Sequence, residues 1–316
     1  MKIAHSIAEA KSWPPLKSAV TLGVFDGVHI GHERIVTEVV RSRQSGAVDS
    51  CYLVTFDPHP LSVTHSKMTP PMLTTLDERI HLLGRFDIDG VVVLRFDDEL
   101  ANVDYRRFLQ KYLFRSFNMK LLILGYDCYF GRNREGSPER VQEECSRIGV
   151  SCKVVPAVRN NDEAISSTKI RNALMEGDLS RANRLLGHPY LISGTVVRGH
   201  GKGCGLGFAT ANLSIDDPYK LWPPLGVYAV RVEYKDETMG GMMNVGRAPT
   251  MKSLAHDARE IEVHLFDFDE DIYGERLRVF CMARLRDERR FASAEALASQ
   301  LEVDKMRALE CLGKAP

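Results

Sequence analysis

Apolar runs and amphipathic stretches alternate through the first half of the chain. Residues 18–24 (SAVTLGV) form a continuous apolar run that stops at Asp26-Gly27, the pattern of a buried strand entering a turn. A helical period follows. Ile30, Ile35, Val36, Val39 and Val40 fall on one face, and Glu33, Arg34, Glu38 and Arg41 are expected outside. Residues 51–56 (CYLVTF) predict a second strand, 76–83 a helix and 90–96 (GVVVLRF) a third strand. A helix over 104–113, a strand over 120–125 (KLLILG), a short helix over 141–147 and a strand over 153–155 complete the series. Repeated strand–helix–strand units imply an open, Rossmann-like parallel sheet covered on both faces.

The texture changes near Gly187-His188-Pro189-Tyr190. Beyond it, β-like segments over 191–198, 226–234, 237–245, 260–266 and 276–285 are broken by glycine. Two-residue alternation is clear at Val227, Ala229, Arg231 and Glu233, and again at Arg278, Phe280, Met282 and Arg284. The pattern predicts a small antiparallel β-barrel. A final helix is expected from Ser293 as N-cap, with Leu297, Leu301 and Leu309 facing inward. The expected domains are therefore 1–186 and 187–316, an α/β domain followed by a barrel with a C-terminal helix.

Composition narrows the partners. The 316 residues include 42 basic and 42 acidic side chains, so the net charge is zero. A general nucleic-acid binder carries a basic excess, so none is expected, and neither is a polybasic membrane anchor. No stretch approaches the roughly 20 apolar residues that span a bilayer, and the first 15 residues lack an apolar signal core. Seven scattered cysteines without a C-x-x-C pair point to reduced thiols in a cytoplasmic protein.

Chemistry concentrates in four segments, each after a predicted strand. The strongest is GVFDGVHIGH, residues 23–32, between the first strand and the first helix. Ligands bind at the carboxyl ends of parallel strands, and helix N-termini favour phosphate. Gly23, Phe25, Asp26 and Gly27 are candidate nucleotide contacts, and His29 and His32, three apart, can aim imidazole donors at one oxyanion. A histidine pair on an amphipathic helix is by itself commonly a surface feature; the strand–glycine–histidine context makes the difference. The second segment is ISSTKIR, residues 165–171. Ser167 and Thr168 offer hydroxyls at a helix start, and Arg171 can grip a polyphosphate. The other two are FDPHP, with Pro58 and His59, suited to a flat ring, and GYDCYFG, with Asp127 and Phe130.

GVFDGVHIGH, FDPHP, GYDCYFG and ISSTKIR, in this order, resemble the bacterial bifunctional riboflavin kinase/FMN adenylyltransferase (FAD synthetase) family over nearly the whole chain. The resemblance implies that the first domain transfers AMP from ATP to FMN, giving FAD and pyrophosphate, with Mg²⁺ sharing the charge neutralisation. It places His29, His32, Ser167, Thr168 and Arg171 on ATP, and Asp127 and Phe130 near an adenine–flavin cleft. Cys128 and Tyr129 stand where Phe and Arg are usual. The same nucleotidyltransferase fold and H-x-G-H motif occur in class I aminoacyl-tRNA synthetases, a reading that the neutral charge opposes.

The second half carries GTVVRGHGKGCGLGFATAN, residues 194–212. Its glycines suggest a phosphate cradle, with Lys202 and Gly203 as candidate ATP contacts, although no Walker A sequence is present. The family resemblance makes Thr210 and Asn212 the Mg²⁺–nucleotide ligands. It makes Glu262 the catalytic base that takes the ribityl hydroxyl proton of riboflavin, and Arg286 and Glu288 flavin contacts. Three departures fall here: Ala209 for proline, and Cys204 and Ala248 for arginines. They predict weaker nucleotide placement and leave a second reading open, FAD synthesis alone with a degenerate kinase domain. The expected partners are small molecules only: ATP, FMN and riboflavin.

Overall fold

A computed structural model describes residues 1–160, 163–198, 210–247 and 259–313. By internal contacts the chain forms two compact units, Met1–Met72 with Arg79–Ser167, and Leu73–Glu78 with Thr168–Pro316.

The first unit holds six strands: β1 (Lys2–Ala4), β2 (Ser18–Leu22), β3 (Ser50–Asp57), β4 (Gly90–Arg95), β5 (Met119–Gly125) and β6 (Ser151–Val155). Their order is β1-β4-β3-β2-β5-β6 and every pairing is parallel. All five residues of β2 are buried, as expected for a strand covered on both faces. Two short segments, β7 (Arg159–Asn160) and β8 (Glu163–Ala164), pair separately. The sheet grows away from β2 in both directions, with β3 on one side and β5 on the other. The loops after β2 and β5 therefore open at a topological switch point, where ligands bind in sheets of this kind.

Two local expectations need correction. Glu38, expected outside on the helix Ile30–Gln44, is buried at 9% exposure beside Val36 and Val39. Its carboxylate is paired with Arg34, Arg41 and Lys153 at 2.7–3.2 Å, which offsets the cost of burying it. The stretch expected as one helix over 104–113 is instead a short α-helix, Tyr105–Arg107, running into a π-helix, Phe108–Phe114. That wider turn buries Phe108, Leu109 and Leu113 in the core.

The second unit is a closed antiparallel barrel. Its strands are β9 (Tyr190–Val197), β10 (Ala211–Ser214), β11 (Gly226–Tyr234), β12 (Glu237–Arg247), β13 (Arg259–Leu265) and β14 (Arg276–Arg286). Their order around the barrel is β10-β13-β12-β11-β14-β9. The helix Ala294–Gly313 packs on β11, β12 and β14. Ser293 Oγ accepts the Ala296 N–H at 3.3 Å, an N-cap bond. The inward stripe differs from the expected one, because Leu309 is 49% exposed. Leu301 faces the barrel as expected, and Ala308, Cys311 and Leu312 join it in place of Leu309, together with fully buried Asp304, which Arg286 grips through Nε and Nη2.

The hexapeptide Leu73–Glu78 is part of this second unit. Lys220 Nζ donates to Glu78 Oε2 at 2.6 Å and to the carbonyls of Leu73 and Leu191 at 2.7 and 2.6 Å. Glu78 Oε1 accepts the Ser193 N–H and hydroxyl. Among the described residues no helix is long and apolar enough to cross a membrane.

Candidate functional site

In the first unit the chain leaves β2 through a tight turn. Gly23 N–H donates to Val54 O of β3 at 3.0 Å, and Val28 N–H to Phe25 O at 3.0 Å. Phe25, Gly27 and Val28 all take positive φ, 54°, 81° and 42°. For Phe25 and Val28 that conformation stores roughly 1–3 kcal/mol each, the kind of strain held at functional turns. Phe25, Asp26 and Val28 are buried, so the turn is locked from beneath.

The turn delivers His29 to the N-cap of the helix Ile30–Gln44. His29 Nδ1 accepts the His32 backbone N–H at 3.3 Å. In a neutral imidazole the proton then sits on Nε2, which becomes a donor. The His29 and His32 rings stack with centroids 3.6 Å apart and 15° between planes, and Phe25 meets His32 edge-on at 5.2 Å. Gly31 leaves room for this stack: a Cβ there would sit 3.0 Å from His29 Cε1 and 3.1 Å from Nδ1. Burial holds His32 well below the ordinary histidine pKa, helped by adjacent His29 and by the Arg79 guanidinium. Its Nδ1 is buried without a hydrogen-bond partner among the described residues. The site therefore carries a neutral imidazole at position 32.

Arg79 had no sequence signal. A lone cation on the helix Leu76–Leu83 reads as solvent-facing, yet it is 2% exposed. It donates to Thr55 Oγ1 at 3.1 Å and Phe56 O at 3.0 Å, and Thr55 Oγ1 donates to Val24 O at 3.1 Å. A relay thus joins Arg79 to the β2 turn.

The other predicted segments divide. Ser167 Oγ donates to Asp26 O at 3.0 Å, tying the start of the helix Ser167–Met175 to the turn. Thr168 and Arg171 follow on that helix, where Arg171 is buried, and both fall in the second unit. After β3, Pro58 is exposed and His59 caps the short helix Pro60–Thr64 by accepting the Leu61 N–H at 3.1 Å. After β5, Asp127 is exposed at the switch point. Phe130 is buried in the core against Phe108, with ring centroids 5.4 Å apart.

In the barrel, Lys202, Gly203, Cys204, Ala209 and Ala248 lie outside the described residues. Thr210 is half-buried just before β10. Asn212 on β10 stands directly opposite Glu262 on β13, and Glu262 directly opposite Asn244 on β12. Glu262 is half-buried. Arg286, bound to Asp304, also lies under the Phe291 ring at 5.6 Å, and Glu288 Oε1 accepts the Arg247 N–H at 3.3 Å. Hydroxyl, carboxamide and carboxylate oxygens are the hard donors that Mg²⁺ takes. Among the described residues no three acidic, histidine or cysteine side chains form a metal cage.

Comparison with known proteins matches each half in turn. The FAD synthetase family model matches residues 12–169 and the riboflavin kinase family model residues 186–312. The bifunctional riboflavin kinase/FMN adenylyltransferase of Bacillus subtilis (strain 168) is 32% identical, covering 96% of this chain and 94% of its own. Its counterpart in Escherichia coli (strain K12) is 32% identical over 99% and 98%. A crystal structure from Streptococcus pneumoniae, described as a macrolide-efflux protein, aligns with TM-score 0.81 and 29% identity, over 94% of this chain and 95% of that one.

Proposed function

The chain belongs to the bifunctional riboflavin kinase/FMN adenylyltransferase family, and on that premise we propose how its own residues carry the two reactions. It phosphorylates riboflavin to FMN and adenylylates FMN to FAD, with ATP as donor in both. The reading of FAD synthesis alone is set aside, since the riboflavin kinase model spans 186–312 and the bifunctional relatives cover both halves.

For adenylyl transfer, a phosphate oxygen of FMN attacks the α-phosphorus of ATP and the bond to pyrophosphate breaks. The attacking phosphate is already largely ionised near pH 7, so no base is required. The protein's task is orientation and charge stabilisation. His29 offers Nε2–H to the oxygens gaining charge, and neutral His32 buttresses its ring. The turn 23–27 backs the nucleotide. Ser167 and Thr168 with Arg171 take the phosphates, and Asp127, Pro58 and His59 border the flavin. Phe130 supports that border from the core. The observation that carries this reading is the His29–His32 stack at the N-cap beside the sheet's switch point.

For the kinase reaction, Glu262 accepts the proton of the terminal ribityl hydroxyl as its oxygen attacks the γ-phosphorus, and ADP leaves. Thr210 and Asn212 would hold Mg²⁺, which neutralises phosphate charge when bound. Lys202 and Gly203 take ATP. Glu288 and Arg286 take the flavin side, with Asp304 holding the Arg286 guanidinium. A cytoplasmic setting is supported by the six described cysteines, all free thiols. A chromatographic assay with Mg-ATP and either riboflavin or FMN tests the assignment. FMN and FAD from the first substrate and FAD from the second are expected; no FMN from riboflavin would contradict it.

A further inference from the structure

The β2–β3 ladder ends where two of the candidate loops begin. Leu22 stands opposite Val54, and Gly23 N–H still donates to Val54 O at 3.0 Å. From there the chain leaves β3 through the positive-φ Phe25, while β3 runs on to Asp57. Residues along a strand turn their backbone groups alternately to its two neighbours, so Phe56 O faces the side that β2 has left. Thr55 and Phe56 are buried, and a buried carbonyl needs a donor.

Arg79 supplies it. One nitrogen, Nη1, donates to Phe56 O at 3.0 Å and to Thr55 Oγ1 at 3.1 Å. The directions are fixed, because a guanidinium only donates and a carbonyl only accepts. The Thr55 hydroxyl therefore directs its own hydrogen to Val24 O, 3.1 Å away. Val24 stands directly before Phe25 in the turn read as the nucleotide side, and Phe56 directly before Asp57-Pro58-His59, read as the flavin side. A guanidinium only 2% exposed thus fastens both loops beyond the point where backbone pairing between their strands stops.

We propose that Arg79 is a positioning residue for adenylyl transfer: through Thr55 and Phe56 it sets the nucleotide turn against the flavin loop, and so aligns the FMN phosphate with the α-phosphorus of ATP. The proposal rests on the reading of these loops as two sides of one site. Arg79 acts through the loops and not on a substrate, so its loss lowers kcat for FAD formation and leaves the separate Kd values for ATP and FMN nearly unchanged. Thr55 separates this role from packing. Valine keeps the shape of threonine but neither accepts from Arg79 nor donates to Val24 O. Serine keeps both bonds and loses a methyl group. Positioning predicts the kcat order wild type, then Thr55→Ser, then Thr55→Val. Packing alone predicts the reverse order for the two variants, because serine leaves a void in a filled core.

The experiment measures FAD formation from FMN and Mg-ATP by full-length Arg79→Met, Thr55→Val, Thr55→Ser and His29→Asn proteins. Kd for FMN is read from flavin fluorescence and Kd for ATP from calorimetry on the same samples. Expected is a kcat loss of roughly 10- to 100-fold for Arg79→Met and Thr55→Val, the scale of a misplaced catalytic group, with Thr55→Ser closer to wild type and both Kd values unchanged. If Arg79→Met does not fold, the two Thr55 variants decide the matter. Wild-type kcat in Thr55→Val or in folded Arg79→Met, Thr55→Ser no faster than Thr55→Val, or a loss confined to Kd, overturns the role of Arg79, while a slow His29→Asn leaves the reading of the turn in place. A fully active His29→Asn overturns that reading and the proposal with it.

Discussion

His29 Nδ1 accepts the backbone N–H of His32 while the two rings stack at 3.6 Å, so one side chain both caps the helix and has its tautomer set by doing so. Gly31 lies under that arrangement. Gly31→Ala adds a methyl 3.0–3.1 Å from the His29 ring, which must tilt away. Alanine also favours the helix by up to about 1 kcal/mol. The variant should therefore be at least as stable as wild type in thermal unfolding, yet make FAD from FMN at least roughly tenfold more slowly, as for a displaced catalytic group. Normal FAD synthesis would show that the ring position is unimportant.

The neutral state of His32 has a stability consequence. Its folded pKa lies below the unfolded value of about 6.5. Below that pH the unfolded chain binds more protons than the folded one, so stability is full above about pH 6.5 and falls as pH drops towards the folded pKa. His32→Gln removes this contribution. Unfolding midpoints between pH 7.5 and 5 should decline less steeply in the variant. Parallel curves would mean that His32 titrates normally.

Glu78 and Lys220 are wholly buried and mutually satisfied. Breaking such a pair leaves an uncompensated buried charge, worth roughly 3–5 kcal/mol. Lys220→Met should lower the melting temperature of the barrel and reduce riboflavin phosphorylation at 37 °C. A wild-type melting curve would argue that water replaces the ammonium without cost.

Five of the six sheet strands and most barrel strands were legible because apolar runs and two-residue alternation survive in a single sequence; the edge strand β1, Lys2–Ala4, is only three residues long and has two exposed positions, and was not expected. β10 was not: Ala211–Ser214 is short, small and polar, and it ends a glycine-rich run that reads as a loop. Nor were the buried charges. Glu38, Arg79, Lys220 and Asp304 each occupy a position where a charge signals solvent, and each is made tolerable in part by a partner distant in sequence: Lys153, Thr55, Glu78 and Arg286 in turn. Asp304 also hid the true inward face of the last helix. At the site, the histidine pair and Glu262 stood out through their motifs, whereas the Arg79–Thr55–Val24 relay is visible only in three dimensions.

The central claim is that the His29 imidazole drives AMP transfer. His29→Asn tests it most directly, because asparagine remains a good N-cap and only the imidazole is lost. The rate of FAD formation from FMN and Mg-ATP should fall by roughly two to three orders of magnitude, as for loss of an oxyanion donor, while the same protein still phosphorylates riboflavin at the wild-type rate. FAD formed from FMN as fast as by the wild type would contradict the account.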